Sequence, residues 1–192
     1  MQDAKSGKRT EKRFLFGEMA CYNETSKRTG IPPEQKENTM KKLNIAIIGY
    51  GRSGCDIHGA FLRSKDNDIC NVVAVVEYDP ARAEAARKDF GCDTYSDYRE
   101  LFHRTDIDFV TNASYSNEHF PVALDLLNHG FNVLCEKPLC KSPEQVQQLM
   151  DAAKAHNCEL TIFHQYRYND YYLEMKKLLD KKVLGDVKLV RA

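Results

Sequence analysis

The run Leu43-Asn44-Ile45-Ala46-Ile47-Ile48-Gly49-Tyr50-Gly51-Arg52-Ser53-Gly54 joins two signals. Its aliphatic half is almost continuous in hydrophobicity, which predicts a strand covered on both faces, as in a parallel sheet. Its second half is a G-x-G-x-x-G turn that opens a predicted helix. At that spacing the first glycine takes the tight turn, the second lets the backbone approach a pyrophosphate, and the third lets helix pack on strand. The helix start then offers unpaired N–H groups to an anion. Glycine turns alone are common, and the strand before and helix after make this one specific. Gly49, Gly51, Arg52, Ser53 and Gly54 are therefore read as cofactor-binding positions.

Working outward, the next apolar run, 71–77, ends in Glu77, which stands 23 positions beyond Gly54. That is close to the spacing of a carboxylate that accepts hydrogen bonds from adenosine ribose hydroxyls. A carboxylate there repels the additional phosphate of NADP, so NAD is expected over NADP, with Arg82 softening the preference. The competing reading is a solvated charge at a strand end. Further strands are predicted at 94–95, 109–112, 132–135 and 160–163. Between them, Asp79-Pro80 caps a helix that Gly91 stops, Phe120 to Leu127 falls at helical spacing, and Ser142 to Gln145 reads as a capping box. Tyr171, Met175, Leu178 and Leu179 mark one more amphipathic helix. Strands alternating with helices predict an α/β fold, a doubly wound parallel sheet with helices on both faces in the order 3-2-1-4-5-6.

Charge and composition exclude several classes. The 192 residues carry 28 basic and 28 acidic side chains. They set up no net field to gather nucleic acid or an anionic membrane. No run approaches the about 18 consecutive apolar residues of a membrane span, and the N-terminus lacks the apolar core of a signal peptide. The seven cysteines show no C-x-x-C pair and no histidine cluster of zinc-site type, so free thiols, no metal and a cytoplasmic setting are expected. Residues 1–40 are polar and without periodicity. Because Met40-Lys41-Lys42 reads like an enzyme's own start, they are either a disordered tail or a mis-started extension.

A second motif, Cys135-Glu136-Lys137-Pro138, ends the fifth predicted strand. Carboxyl ends of strands are where an open parallel sheet binds ligands. A lysine held there can donate a hydrogen bond to a substrate hydroxyl and help to take up its proton. Alone, the tripeptide is an ordinary strand exit.

Taken together with Val72 to Pro80 and with Asp108 to His119, these motifs resemble the N-terminal domain of the Gfo/Idh/MocA oxidoreductases, in order and spacing, over 42–192. The resemblance implies that Lys137 contacts the reacting hydroxyl and is the catalytic lysine, that Glu136 lies beside the nicotinamide, and that Pro138 follows a cis peptide. It implies that Ser114 lines the cofactor crevice. His119 is implied either as a cofactor contact or as a helix-start packing residue. Where the family has Thr-Pro, this chain has Ser114-Tyr115. His58, on the first helix, is read as structural.

The same resemblance implies a dinucleotide-binding domain over 41–166, and a connecting helix and first strand of a truncated α+β substrate domain over 167–192. In the family that second domain supplies the substrate pocket, an Asp and a His that assist proton transfer, and the oligomer surface. The intact parent is thus expected to oxidise a secondary alcohol of a sugar, cyclitol or related polyol, and to form a homo-oligomer only with the absent domain. The chain by itself is expected to be inactive. A noncatalytic sensing module of the same family is the alternative.

Overall fold

The computed structural model describes residues 41–191; the extension read over 1–40, and Ala192, lie outside the described residues. The chain divides into two compact units, whose described parts run to Phe163 and from His164 onward.

In the first unit six strands form one sheet: β1 (Leu43–Ile48), β2 (Cys70–Val76), β3 (Asp93–Tyr95), β4 (Phe109–Asn112), β5 (Val133–Cys135) and β6 (Leu160–Ile162). Every pairing is parallel, and the order is β3-β2-β1-β4-β5-β6, as the sequence predicts. Consecutive parallel strands need crossovers. These include α1, a π-type helix over Arg52–Gly59 that continues as an α-helix over Ala60–Leu62, then α2 (Pro80–Phe90), α3 (His119–Asn128) and α4 (Pro143–Ala155). The order reverses at β1, whose neighbours are β2 and β4, so a crevice opens outside the carboxyl ends of these three strands.

Burial explains why this order is stable. Ile45, Ile47, Val75, Phe109, Val110 and Leu134 are all below 2% exposed. Each such side chain stabilises the fold by about 1.5–3 kcal/mol relative to exposure. Caps set the helix ends. Asp79 accepts from the N–H groups of Ala81 and Arg82 at 2.8 and 3.2 Å, and Gly91 takes the left-handed conformation at φ 63°. The box read at Ser142 forms only in half. Ser142 Oγ accepts from Gln145 N, but the Gln145 side chain accepts from Lys141 N at 2.8 Å. A complete box stands where none was read, between Asp97 and Glu100, at the head of a 3-10 helix over Tyr98–His103.

The second unit holds a 3-10 turn over Gln165–Tyr168 and helix α5 (Asp170–Asp180). The strand read near its end is not formed over 186–191, which is irregular. A strand is held by its neighbour's ladder, and none pairs with this segment among the described residues. No described helix is long and apolar enough to cross a membrane.

Candidate dinucleotide site

The glycines of the turn serve three separate purposes. Gly49 has φ +86°, and a Cβ there would lie 2.6 Å from the Ala113 carbonyl oxygen, because β1 and β4 run side by side into the turn. At Gly54 a Cβ would fall 1.9 Å from the Gly49 oxygen, so only glycine lets α1 pack onto the strand end. Gly51 is different. The nearest atom a Cβ there would meet is the Arg82 guanidinium, 3.6 Å away, so the space beside it is open. No side chain caps α1 at Gly51. The first N–H groups of the helix are thus available to an anion.

This turn floors a crevice of about 690 Å³. Gly49, Gly51, Arg52, Ser53, Glu77 and Ser114 line it, as does Arg82. Gly54, His119, Glu136 and Lys137 are not among its lining residues.

Glu77 leaves β2 with its N–H on the Tyr95 carbonyl at 2.9 Å. Its carboxylate is only 6% exposed and turns back on the loops: one oxygen accepts from Tyr50 N at 2.8 Å, the other from Asp79 N at 3.0 Å. Each oxygen keeps a further lone pair for a hydroxyl donor. Tyr50, the middle residue of G-x-G, is buried away from the crevice. Its hydroxyl donates to Asp89 at 2.6 Å and accepts from Arg63 at 2.7 Å, which ties the turn to α2. Burial, then the Asp89 hydrogen bond, pushes its pKa up.

On the other side, Asn112 ends β4 fully buried. Its Oδ1 accepts from Ser114 Oγ at 2.7 Å, and its amide donates to the His119 carbonyl at 3.1 Å. His119 itself is buried at the start of α3, with Nδ1 2.8 Å from the Pro138 carbonyl and Nε2 3.0 Å from that of Ser114. It therefore braces the loop after β4 against the loop after β5.

The second motif is built around a buried pair. Glu136 Oε1 lies 3.1 Å from His58 Nε2, with the two side chains 5% and 4% exposed, and the His58 ring packs on Phe163 with centroids 4.4 Å apart. Burial raises the Glu136 pKa, but the His58 hydrogen bond and charge, the Lys137 N–H and the Lys137 charge outweigh it, and the net pKa is lowered. Lys137 follows with an exposed side chain, and its bond to Pro138 is cis, as expected. The Cys135 thiol, buried beneath, is pushed up to about 12. Among the described residues no group of three or more His, Cys, Asp or Glu could hold a metal ion.

Sequence reasoning missed the binding partners of two residues. His58 is structural in the sense expected, but its attachment to Glu136 crosses 78 positions and has no local signature. Asn112 carried a signal that went unread, an amide closing a strand of otherwise buried residues.

Known proteins share this fold. The model of an oxidoreductase family with an NAD-binding Rossmann fold, Gfo/Idh/MocA, matches residues 43–164. Trans-1,2-dihydrobenzene-1,2-diol dehydrogenase of Danio rerio is 36% identical over 151 residues, covering 78% of this chain and 45% of that protein. Inositol 2-dehydrogenase of Burkholderia multivorans is 31% identical over 146 residues, covering 74% and 43%. Among solved structures, myo-inositol 2-dehydrogenase from Lactobacillus plantarum has a TM-score of 0.69 at 30% identity, over 77% of this chain and 43% of that one. Scyllo-inositol dehydrogenase from Lactobacillus casei, solved with NAD(H) and scyllo-inositol, has a TM-score of 0.68 at 28% identity, over 76% and 43%. The chain thus spans less than half the length of these relatives.

Proposed function

The chain belongs to the Gfo/Idh/MocA oxidoreductase family, whose NAD-binding Rossmann fold it carries over residues 43–164, and we propose that it is the cofactor-binding half of a dehydrogenase that oxidises a secondary alcohol of a cyclitol, sugar or related polyol. The observation that carries this reading is the open space at Gly51 beside an uncapped helix start, between two glycines that packing alone requires. A fold needs Gly49 and Gly54 for its own geometry, whereas Gly51 is needed only if something else approaches the backbone.

In this reading the N–H groups at Arg52 and Ser53 hold the pyrophosphate, and the Arg52 and Arg82 guanidiniums add charge complementarity. Glu77 accepts from the adenosine ribose with the lone pairs its backbone contacts leave over. Its negative charge selects NAD over NADP. Ser114, fixed by Asn112, borders the crevice on the β4 side. When bound, NAD supplies the hydride acceptor, and the protein's task is binding, orientation and the proton. Lys137 orients the reacting hydroxyl by hydrogen bonding and helps to take up its proton. Glu136 and His119 hold the ends of the tripeptide that carries it. The polyol contacts and any homo-oligomer surface belong to parts of a longer protein of the length its relatives have.

Thermal unfolding of the chain with NADH or NADPH tests this reading. A ligand bound only by the native state stabilises it by about 2.7 kcal/mol at a hundredfold excess over its Kd. The midpoint should rise with NADH and rise less with NADPH. Lys137→Met, lying outside the crevice lining, should leave that rise intact. A cooperative transition indifferent to both cofactors would remove the proposal.

A further inference from the structure

Two tyrosines meet over the crevice. Tyr78 leaves the end of β2 directly after Glu77, and Tyr115 leaves the loop after β4 directly after Ser114. These strands flank β1, so the two side chains come from opposite sides of the glycine turn. Both rings line the crevice. They are 65% and 58% exposed, yet their hydroxyls lie 3.0 Å apart and hydrogen-bonded. That bond, followed by slight desolvation, raises the Tyr78 pKa.

Nothing in the packing of the sheet requires this bridge, since neither ring is in the core. Water can replace each hydroxyl's partner, so the bridge opens at little cost. Opening it leaves two aromatic faces bordering a crevice whose walls include Ala113, Pro121 and Val122 and whose floor carries the charged groups suited to ribose and phosphate. A flat, weakly polar aromatic heterocycle attached to that ribose fits between them, because every nucleobase presents a π-face to an aromatic side chain.

We propose that Tyr78 and Tyr115 form a clasp across the crevice that parts to admit the adenine ring of the dinucleotide and holds it by stacking. This rests on the dinucleotide-binding reading and extends it to the base. The hydroxyl bridge sets how readily the crevice opens, and the rings set how tightly the base is kept. Tyr115→Phe separates these two roles, since it removes the bridge and retains the ring.

The experiment follows NADH binding by its fluorescence, at equilibrium and in stopped flow, with reduced nicotinamide mononucleotide, which lacks the adenosine half, as control. Tyr115→Phe should raise the NADH association rate and hold the Kd within about threefold. Tyr115→Ala should weaken NADH by about 5- to 150-fold, the range of one lost base–aromatic stack, and leave the mononucleotide Kd unchanged. Equal weakening of both ligands by Tyr115→Ala, or an NADH Kd that does not move, would overturn the clasp while leaving dinucleotide binding in place. Wild-type chain that binds no NADH would overturn the binding reading and the clasp with it. Because both rings are exposed, the unfolding midpoints of the variants should match wild type.

Discussion

Replacing His58 with leucine isolates the buried pair beneath the Glu-Lys-Pro motif. The substitution leaves Glu136, with a side chain about 5% exposed, without its 3.1 Å partner. Removing the hydrogen-bond partner of a buried carboxylate costs about 3–5 kcal/mol, because the remaining charge stays desolvated. Leucine retains apolar contact with Phe163, so the loss falls mainly on Glu136. With a urea slope of about 2 kcal/mol per molar, the unfolding midpoint should fall by about 2 M. Adding Glu136→Leu should recover more than half of that loss, since no buried charge then remains.

The pH dependence has a definite sign. In the wild type the folded pKa of Glu136 is lowered. Its contribution is therefore complete above the unfolded value of about 4.3 and is lost as pH falls through the folded pKa. In His58→Leu, only the Lys137 N–H and charge still oppose burial, so protonation relieves the variant at acid pH and the gap to wild type narrows. Urea titrations at pH 7 and pH 4.5 read both effects. A His58→Leu variant within about 1 kcal/mol of wild type at pH 7, or a gap that widens in acid, would refute the argument.

The remaining predictions concern the crevice and its supports. Gly51→Ala should leave the unfolding midpoint nearly unchanged, because its Cβ meets nothing nearer than 3.6 Å, and should weaken NADH at least tenfold; calorimetry and unfolding together check this. Gly54→Ala should instead lower the midpoint sharply in urea, since its Cβ would stand 1.9 Å from the Gly49 oxygen. Glu77→Gln should narrow the preference for NADH over NADPH at least about fivefold in competition titrations, the effect of removing ~1 kcal/mol of repulsion between charges about 4 Å apart in water. Asp79→Ala should cost about 1 kcal/mol in urea unfolding by freeing the Ala81 and Arg82 N–H groups.

What the sequence revealed divides along physical lines. β1 and the glycine turn were legible because a doubly covered strand needs aliphatic residues throughout and the turn needs glycine at two fixed places. Asp79-Pro80 and Gly91 announced α2 for similarly local reasons. The His58–Glu136 and His119–Pro138 contacts were not legible, since they depend on α1 and α3 packing beside the end of β5. The Ser142 box was half right because Gln145 found the Lys141 N–H rather than that of Ser142. The complete Asp97 box went unread because its helix, Tyr98–His103, is too short to show a helical period. Strand character at 186–191 was real in composition, but a ladder needs a partner that composition does not supply.

The central claim is that the crevice over Gly51 binds a dinucleotide, and a calorimetric titration of NADH into the chain tests it most directly. The account predicts saturable binding of one NADH per chain, tighter than NADPH, and greatly weakened in a folded Gly51→Ala variant. A cooperatively folded chain that takes up no NADH, or that binds it equally well with alanine at position 51, would contradict it.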